Sequence, residues 1–171
     1  FEISDDGIIT LWLNAGDSSV VILNRSLIQR LNKTLDEIEL HKDICGLQLR
    51  SDCKHVFVAG ADLSEINALD DHSLHAYLAF GTTVFKRLTN LPYPTVALID
   101  GAALGGGLEI AMHCNGIICS RHNAKGRAYP IGLPEASLGI CPGWGGTQLL
   151  PARINPNEAI SVTIAGNTYM S

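Results

Sequence analysis

Glu109 and Glu135 are the residues of this sequence that best fit acid–base chemistry, because each stands alone in an apolar, glycine-rich stretch. Burial in apolar surroundings raises the pKa of a carboxyl group and suits it to proton transfer near neutral pH. Two such groups on separate glycine-rich turns are typical of paired acid–base catalysis. The alternative for Glu109 is a solvated helix face that uses glycine for close packing, and the sequence alone leaves both interpretations open.

Residues 101–109, with the sequence GAALGGGLE, open a predicted helix with three consecutive glycines. Glycines at this position leave backbone N–H groups at the positive end of the helix dipole accessible to a ligand. No Gly-Lys-Ser/Thr follows, which argues against a phosphate-binding loop, and the glycine spacing differs from that of the dinucleotide fingerprint. The segment therefore indicates a ligand that is contacted through backbone amides.

Two further segments combine small residues with an acid. Residues 58–62, VAGAD, lie at a predicted strand-to-helix junction, where Asp62 can cap the helix and the small residues before it leave their N–H groups uncovered. A capped connection without a role in binding is the alternative there. Residues 132–147, GLPEASLGICPGWGGT, contain Glu135 as their single acid.

Other chemistries find less support in the sequence. His113, Cys114, Cys119 and His122 would supply four zinc ligands, but their spacings fit no common zinc site. Ser137 lacks the GxSxG context of a serine hydrolase. The histidines at positions 41, 55, 72 and 75 lie in polar stretches, which predicts surface positions.

The composition excludes several classes of protein. Of the 171 residues, 46% are hydrophobic, which is too many for a disordered chain, and nothing divides residues 1–171 into more than one domain. The 12 basic and 17 acidic residues form no Lys/Arg cluster, which argues against a nucleic-acid partner. No apolar run reaches the roughly 18 residues of a transmembrane helix. Five cysteines without a CxxC motif predict reduced core thiols of an intracellular protein.

Strands alternate with helices along the chain, which predicts an α/β fold with largely parallel pairing. Strands are predicted at residues 7–13, 19–23, 44–49, 95–99 and 116–120, and a loop at residues 51–61. Helices are predicted from the N-cap Asn24 to residue 38 and at residues 71–91, 108–113 and 157–164. Gly166-Asn167-Thr168 has the pattern of a helix C-cap followed by a new N-cap, so we expect a further helix after Thr168 and a domain truncated at its C-terminus.

Three segments together resemble the motifs of the crotonase (enoyl-CoA hydratase/isomerase) superfamily. They are Ala59-Gly60-Ala61-Asp62, the sequence DGAALGGGLE at residues 100–109, and residues 133–148, which begin LPE and end PGWGGTQ. One such motif is weak evidence, whereas three in the family's order and separation are specific, and the similarity covers nearly the whole chain. The amino-acid sequence of these segments is most similar to that of the hydratase domain of multifunctional fatty-acid oxidation proteins.

The resemblance implies a spiral of ββα turns and the reversible hydration of a trans-2-enoyl-CoA to a 3-hydroxyacyl-CoA. It implies an oxyanion hole formed by the backbone N–H groups of Ala61 and Gly106. Glu109 is then the base that activates water, and Glu135 is the acid that delivers a proton to the α-carbon. The implied substrate-binding residues are Ala59, whose carbonyl lies near the adenine, together with Gly60, Asp62, Leu63 and Gly143. A double-bond isomerase and a non-catalytic binder of CoA thioesters are the alternatives.

The resemblance also sets expectations about partners and extent. It implies no metal and no separate cofactor, because coenzyme A enters as part of an acyl-CoA substrate, and it implies a homo-oligomer or a larger multifunctional chain. The compartment would be the cytoplasm, or the mitochondrion or peroxisome of a eukaryote. Asn115 stands where the family usually has Asp, and residues 149–153, LLPAR, replace the usual Arg-Leu-Pro-Arg. The family's C-terminal helices, which cover the acyl pocket, are expected to be missing from residues 1–171.

Overall fold

The strands of this protein form two sheets, as a computed structural model shows for the residues it describes, 1–16 and 18–171. The strands are β1 (Glu2–Ile3), β2 (Ile8–Leu13), β3 (Gly46–Ser51), β4 (Val56–Val58), β5 (Thr95–Ile99), β6 (Ala102–Leu104), β7 (Gly116–Cys119), β8 (Pro130–Gly132) and β9 (Thr168–Met170). One sheet has the order β1-β2-β3-β5-β7 and the other the order β4-β6-β8-β9. Pairing is parallel except where β1 meets β2 and where β9 meets β8.

Helices follow each pair of strands, so the chain advances as a spiral of ββα turns. The helices are α1 (Arg25–Ile38), α2 (Leu63–Asn67), α3 (Asp71–Asn90), α4 (Gly106–Met112), α5 (Gly146–Leu149) and α6 (Pro156–Ala165), with a 3₁₀ helix at Glu135–Leu138. After β3, β5 and β7 the chain crosses to the other sheet, where it forms β4, β6 and β8. Helices then return it to the first sheet after β4 and β6, whereas after β8 they lead to β9 in the same sheet. The predicted α/β spiral is confirmed.

Helix α1 forms as the sequence predicts. The side chain of Asn24 accepts a hydrogen bond from the N–H of Leu27 at 2.8 Å, which satisfies one of the free donors of the first turn. The predicted apolar stripe is buried, and its members are Leu27, Ile28, Leu31, Leu35 and Ile38. Arg87 of α3 pairs with Asp36 and Glu39 at 2.8 Å each and so joins the polar side of α1 to α3.

The predicted strand at residues 19–23 is wrong. Only Leu23 makes a bridge, with Ala61, and the segment bonds to residues 59–62 instead of joining a sheet. The N–H of Ala59 donates to the carbonyl of Val21, and Leu23 donates to the carbonyl of Gly60. The predicted loop at residues 51–61 in turn contains β4, which pairs with β6. Strand identity here depends on partners distant in sequence, which local alternation does not encode.

The expected helix after Thr168 is also wrong, because residues 168–170 form β9 antiparallel to β8. Gly166 does act as a left-handed C-cap of α6, with φ 62°. The prediction of core thiols holds for Cys114 but is wrong for Cys45, Cys119 and Cys141, which are exposed. Cys119 ends β7, which lies at the edge of its sheet, and so is not covered on both sides.

Candidate active site

The three glycine-rich segments meet at one cavity of about 580 Å³. Eight of the nine predicted site residues line it, and they are Ala59, Gly60, Ala61, Leu63, Gly106, Glu109, Glu135 and Gly143. The ninth, Asp62, lies outside the lining, and its carboxylate caps α2 by accepting from the N–H groups of Ser64 and Glu65. Most of the remaining wall is aliphatic, with Ile66, Leu74, Leu78, Leu104, Leu138 and Ile140 among its residues.

Glu109 lies in the first turn of α4, and its side chain is 1% exposed. Its Oε1 atom accepts hydrogen bonds from the backbone N–H of Trp144 at 2.8 Å and of Gly146 at 2.7 Å. Burial raises the pKa of Glu109 to about 7, although these two amides and that of Gly143 act in the opposite direction, and the nearby charge of Glu135 adds to the rise. The solvated-face interpretation is therefore wrong for Glu109, which is a buried carboxyl group poised near neutral pH.

Glu135 opens the 3₁₀ helix and is 7% exposed. Gly105 lies so close that a Cβ there would stand 2.7 Å from Oε1 of Glu135, and its φ of 52° favours glycine at this position. The Oε2 atom has no hydrogen-bond partner within the described part of the chain. Burial raises the pKa of Glu135 as well. Burial therefore opposes ionisation at both carboxyl groups.

Two backbone N–H groups at the cavity have no acceptor among residues 1–16 and 18–171. In the parallel bridge between Leu23 and Ala61, Leu23 bonds to Gly60 and Asp62, which leaves the N–H of Ala61 free. Gly106 is the first residue of α4, where an N–H has no intrahelical partner. Both residues line the cavity beside the two carboxyl groups. Two uncommitted donors at one site can polarise a carbonyl oxygen.

Hydrogen bonds to the carbonyl of Leu23 hold the loop that carries Ala61. The carbonyl of Leu23 accepts from the N–H of Asp62 at 3.1 Å and from the hydroxyl of Tyr77 at 3.0 Å. Tyr77 is fully buried on α3, so this second bond is shielded from water. The loop geometry therefore depends on α3 as well as on the loop's own small residues.

The glycines before Glu109 also permit close packing. A Cβ at Gly107 would lie 2.4 Å from the carbonyl oxygen of Val58, and a Cβ at Gly106 would lie 2.5 Å from the ring of Trp144. Helix α4 thus sits directly against β4 and the Trp144 turn. Close packing and exposed backbone amides, weighed as alternatives for this segment, occur together.

Two contributors to the site, His113 and Trp144, were not predicted from the sequence. Trp144 is 2% exposed, lines the cavity, and meets the rings of Tyr77 and Phe85 edge-on at centroid distances of 5.6 and 5.4 Å. His113 lies within hydrogen-bond distance of the Trp144 carbonyl. The spacing of Tyr77, Gly81 and Phe85 places these residues on one face of a helix. It does not identify Trp144 as the residue that packs against that face.

The residues weighed as zinc ligands do not converge. His113 and Cys114 are buried, whereas Cys119 and His122 are exposed, and the described residues contain no group of His, Cys, Asp and Glu that could hold a metal ion. His41, His72 and His75 are exposed as predicted, whereas His55 is half-buried. Within the same described ranges, no helix combines the length and the apolar character needed to cross a membrane.

Comparison with known proteins gives consistent relatives. The family model described as enoyl-CoA hydratase/isomerase matches residues 7–171. The fatty acid oxidation complex subunit alpha of Shewanella halifaxensis is 39% identical over 163 residues, and that of Idiomarina loihiensis is 34% identical over 169 residues. These matches cover 95% and 96% of this chain but only 22% and 23% of the relatives.

Solved structures agree in fold. An enoyl-CoA hydratase from Geobacillus kaustophilus superposes with a TM-score of 0.89 at 28% identity, covering 98% of this chain and 61% of that one. An enoyl-CoA hydratase from Bacillus anthracis superposes with a TM-score of 0.88 at 27% identity, covering 99% of this chain and 63% of that one. The chain therefore spans about three fifths of these structures and less than a quarter of the curated relatives.

Proposed function

This chain belongs to the enoyl-CoA hydratase/isomerase family, the crotonase superfamily, and on that premise we propose that it is an enoyl-CoA hydratase. The reaction is the reversible addition of water to a trans-2-enoyl-CoA, giving a 3-hydroxyacyl-CoA. One observation carries the proposal: two buried carboxyl groups, Glu109 and Glu135, line the same apolar cavity as two free backbone N–H groups. Water addition needs a base and an acid together, and this cavity supplies both.

The N–H groups of Ala61 and Gly106 are proposed to bind the thioester oxygen. Attack at the β-carbon moves negative charge onto that oxygen, so donors fixed in advance stabilise the enolate-like transition state more than the ground state. One such donor is typically worth about 10²–10³ in rate. Anchoring through Leu23 and Tyr77 keeps the Ala61 donor in place before substrate binds.

The two glutamates then divide the proton transfers. Glu109, with a pKa of about 7, is substantially ionised at neutral pH and takes one proton from water as the water oxygen bonds to the β-carbon. Glu135, the second buried carboxyl group, gives its proton to the α-carbon. One water is consumed, one O–H and one C–H are gained by the acyl group, and the reverse path dehydrates the product.

Substrate contacts follow from the cavity wall. The aliphatic side chains suit an acyl chain, and Ala59, Gly60 and Leu63 line the same cavity. By analogy with the family, these three residues are proposed to contact the remainder of the acyl-CoA, with the Ala59 carbonyl near the adenine. Asp62 contributes by capping α2, and Gly143 by placing its amide near Glu109. The named relatives suggest fatty-acid β-oxidation as the setting, within a larger multifunctional protein or a homo-oligomer. That setting is the cytoplasm in bacteria and the mitochondrion or peroxisome in eukaryotes.

A second candidate is isomerisation of a 3-enoyl-CoA to the 2-enoyl-CoA. Glu135 favours it, because its Oε2 atom has no partner in the described residues and so one carboxyl group is free to move a proton between two carbons. That reaction needs only one acid–base residue, whereas hydration uses two.

The experiment that tests the proposal follows the absorbance of the conjugated thioester of crotonyl-CoA. A hydratase removes this absorbance and yields a product heavier by one water in mass spectrometry. A 3-enoyl-CoA supplied in parallel reports isomerase activity by the appearance of the same absorbance. Binding of crotonyl-CoA without either change would refute both reactions and support the non-catalytic alternative.

A further inference from the structure

His113 follows Glu109 by four residues and caps the C-terminal end of the same helix, α4. Residues four apart lie on one helix face, so both side chains approach the same neighbouring turn. His113 is 3% exposed, and its Nε2 atom lies 2.9 Å from the carbonyl oxygen of Trp144. Because a carbonyl oxygen only accepts, Nε2 must carry the hydrogen.

The turn at residues 144–146 is thereby held to α4 at three points. The N–H groups of Trp144 and Gly146 donate to Oε1 of Glu109, and the carbonyl of Trp144 accepts from His113. That carbonyl belongs to the peptide unit directly before Gly145, which has φ 102°. This peptide unit lies between the two whose N–H groups bind Glu109, so holding it restrains both.

Neighbouring residues hold the imidazole ring of His113 in this orientation. It packs 6.0 Å from the ring of Phe85, and the backbone carbonyl of His113 accepts from the hydroxyl of Thr89 at 2.6 Å. Burial lowers the pKa of His113, the hydrogen bond to Trp144 acts in the opposite direction, and the positive charges of Lys86 and Arg153 lower the pKa further. The ring is accordingly a neutral donor with one partner and a fixed orientation.

We propose that His113 is a positioning residue, which acts through the Trp144 carbonyl to hold the two backbone amides that bind Glu109. Backbone N–H groups that bind a carboxylate stabilise its ionised form. Loss of the His113 donor lets the turn rotate away, so Glu109 loses orientation and becomes harder to ionise. The effect on catalysis rests on the function proposed above, whereas the effect on Glu109 itself does not.

The test compares His113→Leu, which removes the donor, with His113→Gln, whose side-chain N–H₂ reaches a similar position. The ionisation of Glu109 is measured in the ligand-free chain by ¹³C NMR titration of glutamate carboxyl carbons, with the signal assigned by its loss in Glu109→Gln. We expect His113→Leu to move this titration to higher pH and His113→Gln to restore it. His113→Met replaces His113→Leu if the latter does not fold.

Crotonyl-CoA kinetics give the second readout. We expect His113→Leu to lower kcat about tenfold, the rate equivalent of one net hydrogen bond, with KM little changed. The acidic limb of the kcat/KM profile should move to higher pH together with the NMR titration. If the wild-type chain shows no hydratase activity, the proposed function fails while the NMR comparison still decides the role of His113.

Met112→Ala is the matched control, because Met112 is buried one residue earlier, packs with Leu108 and Leu133, and donates no hydrogen bond to the Trp144 turn. It loosens the same helix without touching the donor, and it should leave the Glu109 titration in place. The inference is overturned if His113→Leu leaves the titration unmoved, if His113→Gln moves it equally, or if Met112→Ala reproduces the shift.

Discussion

At the scale of single residues, the two carboxyl groups differ in how the protein holds them. Glu109 is bound by two backbone amides through one oxygen, which orients it and partly offsets the effect of burial on its pKa. Glu135 has an oxygen without a partner in the described residues and touches the backbone at Gly105. A group fixed by two amides suits activation of water, and a group with a free oxygen suits delivery of a proton.

Glutamine substitutions test this division. Glu109→Gln and Glu135→Gln keep shape and hydrogen-bonding capacity but remove proton transfer, so each should lower the hydratase kcat by about 10²–10⁴. The affinity for acyl-CoA should stay within a few-fold, because neither side chain forms the proposed oxyanion hole or the aliphatic wall. Steady-state kinetics with crotonyl-CoA and calorimetric titration with a product analogue measure the two quantities.

The same pair of variants separates the two candidate reactions. Glu109→Gln that keeps isomerase activity while Glu135→Gln abolishes it would favour the isomerase. Full hydratase activity in either variant would contradict the assigned roles. Glu37→Gln changes an exposed glutamate of α1 in the same chemical way and should leave both activities unchanged.

At the scale of elements, α3 organises the site without supplying a reacting group. Tyr77, Gly81 and Phe85 recur every four residues and so share one face of this helix. The two aromatic rings flank Trp144, and the missing side chain at Gly81 makes room for its indole. A Cβ at Gly81 would stand 2.3 Å from Nε1 of Trp144. The Trp144 turn that binds Glu109 is therefore seated in a notch of α3.

The sign of the change in the free energy of unfolding of Gly81→Ala tests whether Trp144 occupies this notch. Helix propensity alone makes alanine more stable than glycine by about 1 kcal/mol in a helix interior. Overpacking a core costs about 1–3 kcal/mol, so we expect Gly81→Ala to lower the free energy of unfolding by up to about 2 kcal/mol in all. Displacement of Trp144 should lower the hydratase kcat in parallel. Urea unfolding and crotonyl-CoA kinetics measure both effects.

Gly116→Ala in β7 is the matched control, because a Cβ there would meet only Val96, at 3.6 Å. It makes the same chemical change at a position with room for it, and kcat should stay at the wild-type value. A Gly81→Ala variant more stable than the wild type, as propensity alone requires, would show that the indole is not held in the notch.

Local signals predicted the helices well and the strands only in part. Asn24 and Gly166 mark helix ends through caps, which depend on neighbouring residues. Residues 19–23 and 168–170 show why strands are harder, because the first bonds only to residues 59–62 and the second pairs with β8. Neither partner is visible in the segment itself, so the first was predicted as a strand and the second as a helix start.

The candidate site divides in the same way. The glutamates and the glycine-rich turns were predicted from their composition and from a family resemblance carried by contiguous motifs. His113 was considered only as a metal ligand, because its contact with Trp144 joins residues 31 positions apart. The Gly81 notch likewise joins α3 to a turn late in the chain. Residues such as His113 and Gly81, which position the site residues, belong to no sequence motif, so only the fold identifies them.

At the scale of the whole molecule, burial of the Glu109 carboxyl group lowers the stability of the fold relative to a neutral amide at the same position. Transferring a charge into an apolar interior is unfavourable, and two amides offset only part of that penalty at Glu109. Proteins commonly tolerate such a loss of stability at a site where reactivity requires it. The fold should therefore be less stable with glutamate at position 109 than with glutamine, and the difference should depend on pH.

The sign of that dependence follows from the pKa of Glu109, which rises from an ordinary 4.5 to about 7 on folding. Between these values the folded chain binds more protons than the unfolded chain, so stability falls as pH rises through this window. Each pKa unit corresponds to about 1.4 kcal/mol, so Glu109→Gln should stabilise the fold by on the order of 3 kcal/mol at pH 8 and by far less at pH 5. Urea unfolding at both pH values, with Glu37→Gln as the control, measures the difference. An equal gain at the two pH values, or a loss at pH 8, would show that burial of the Glu109 carboxylate does not oppose folding.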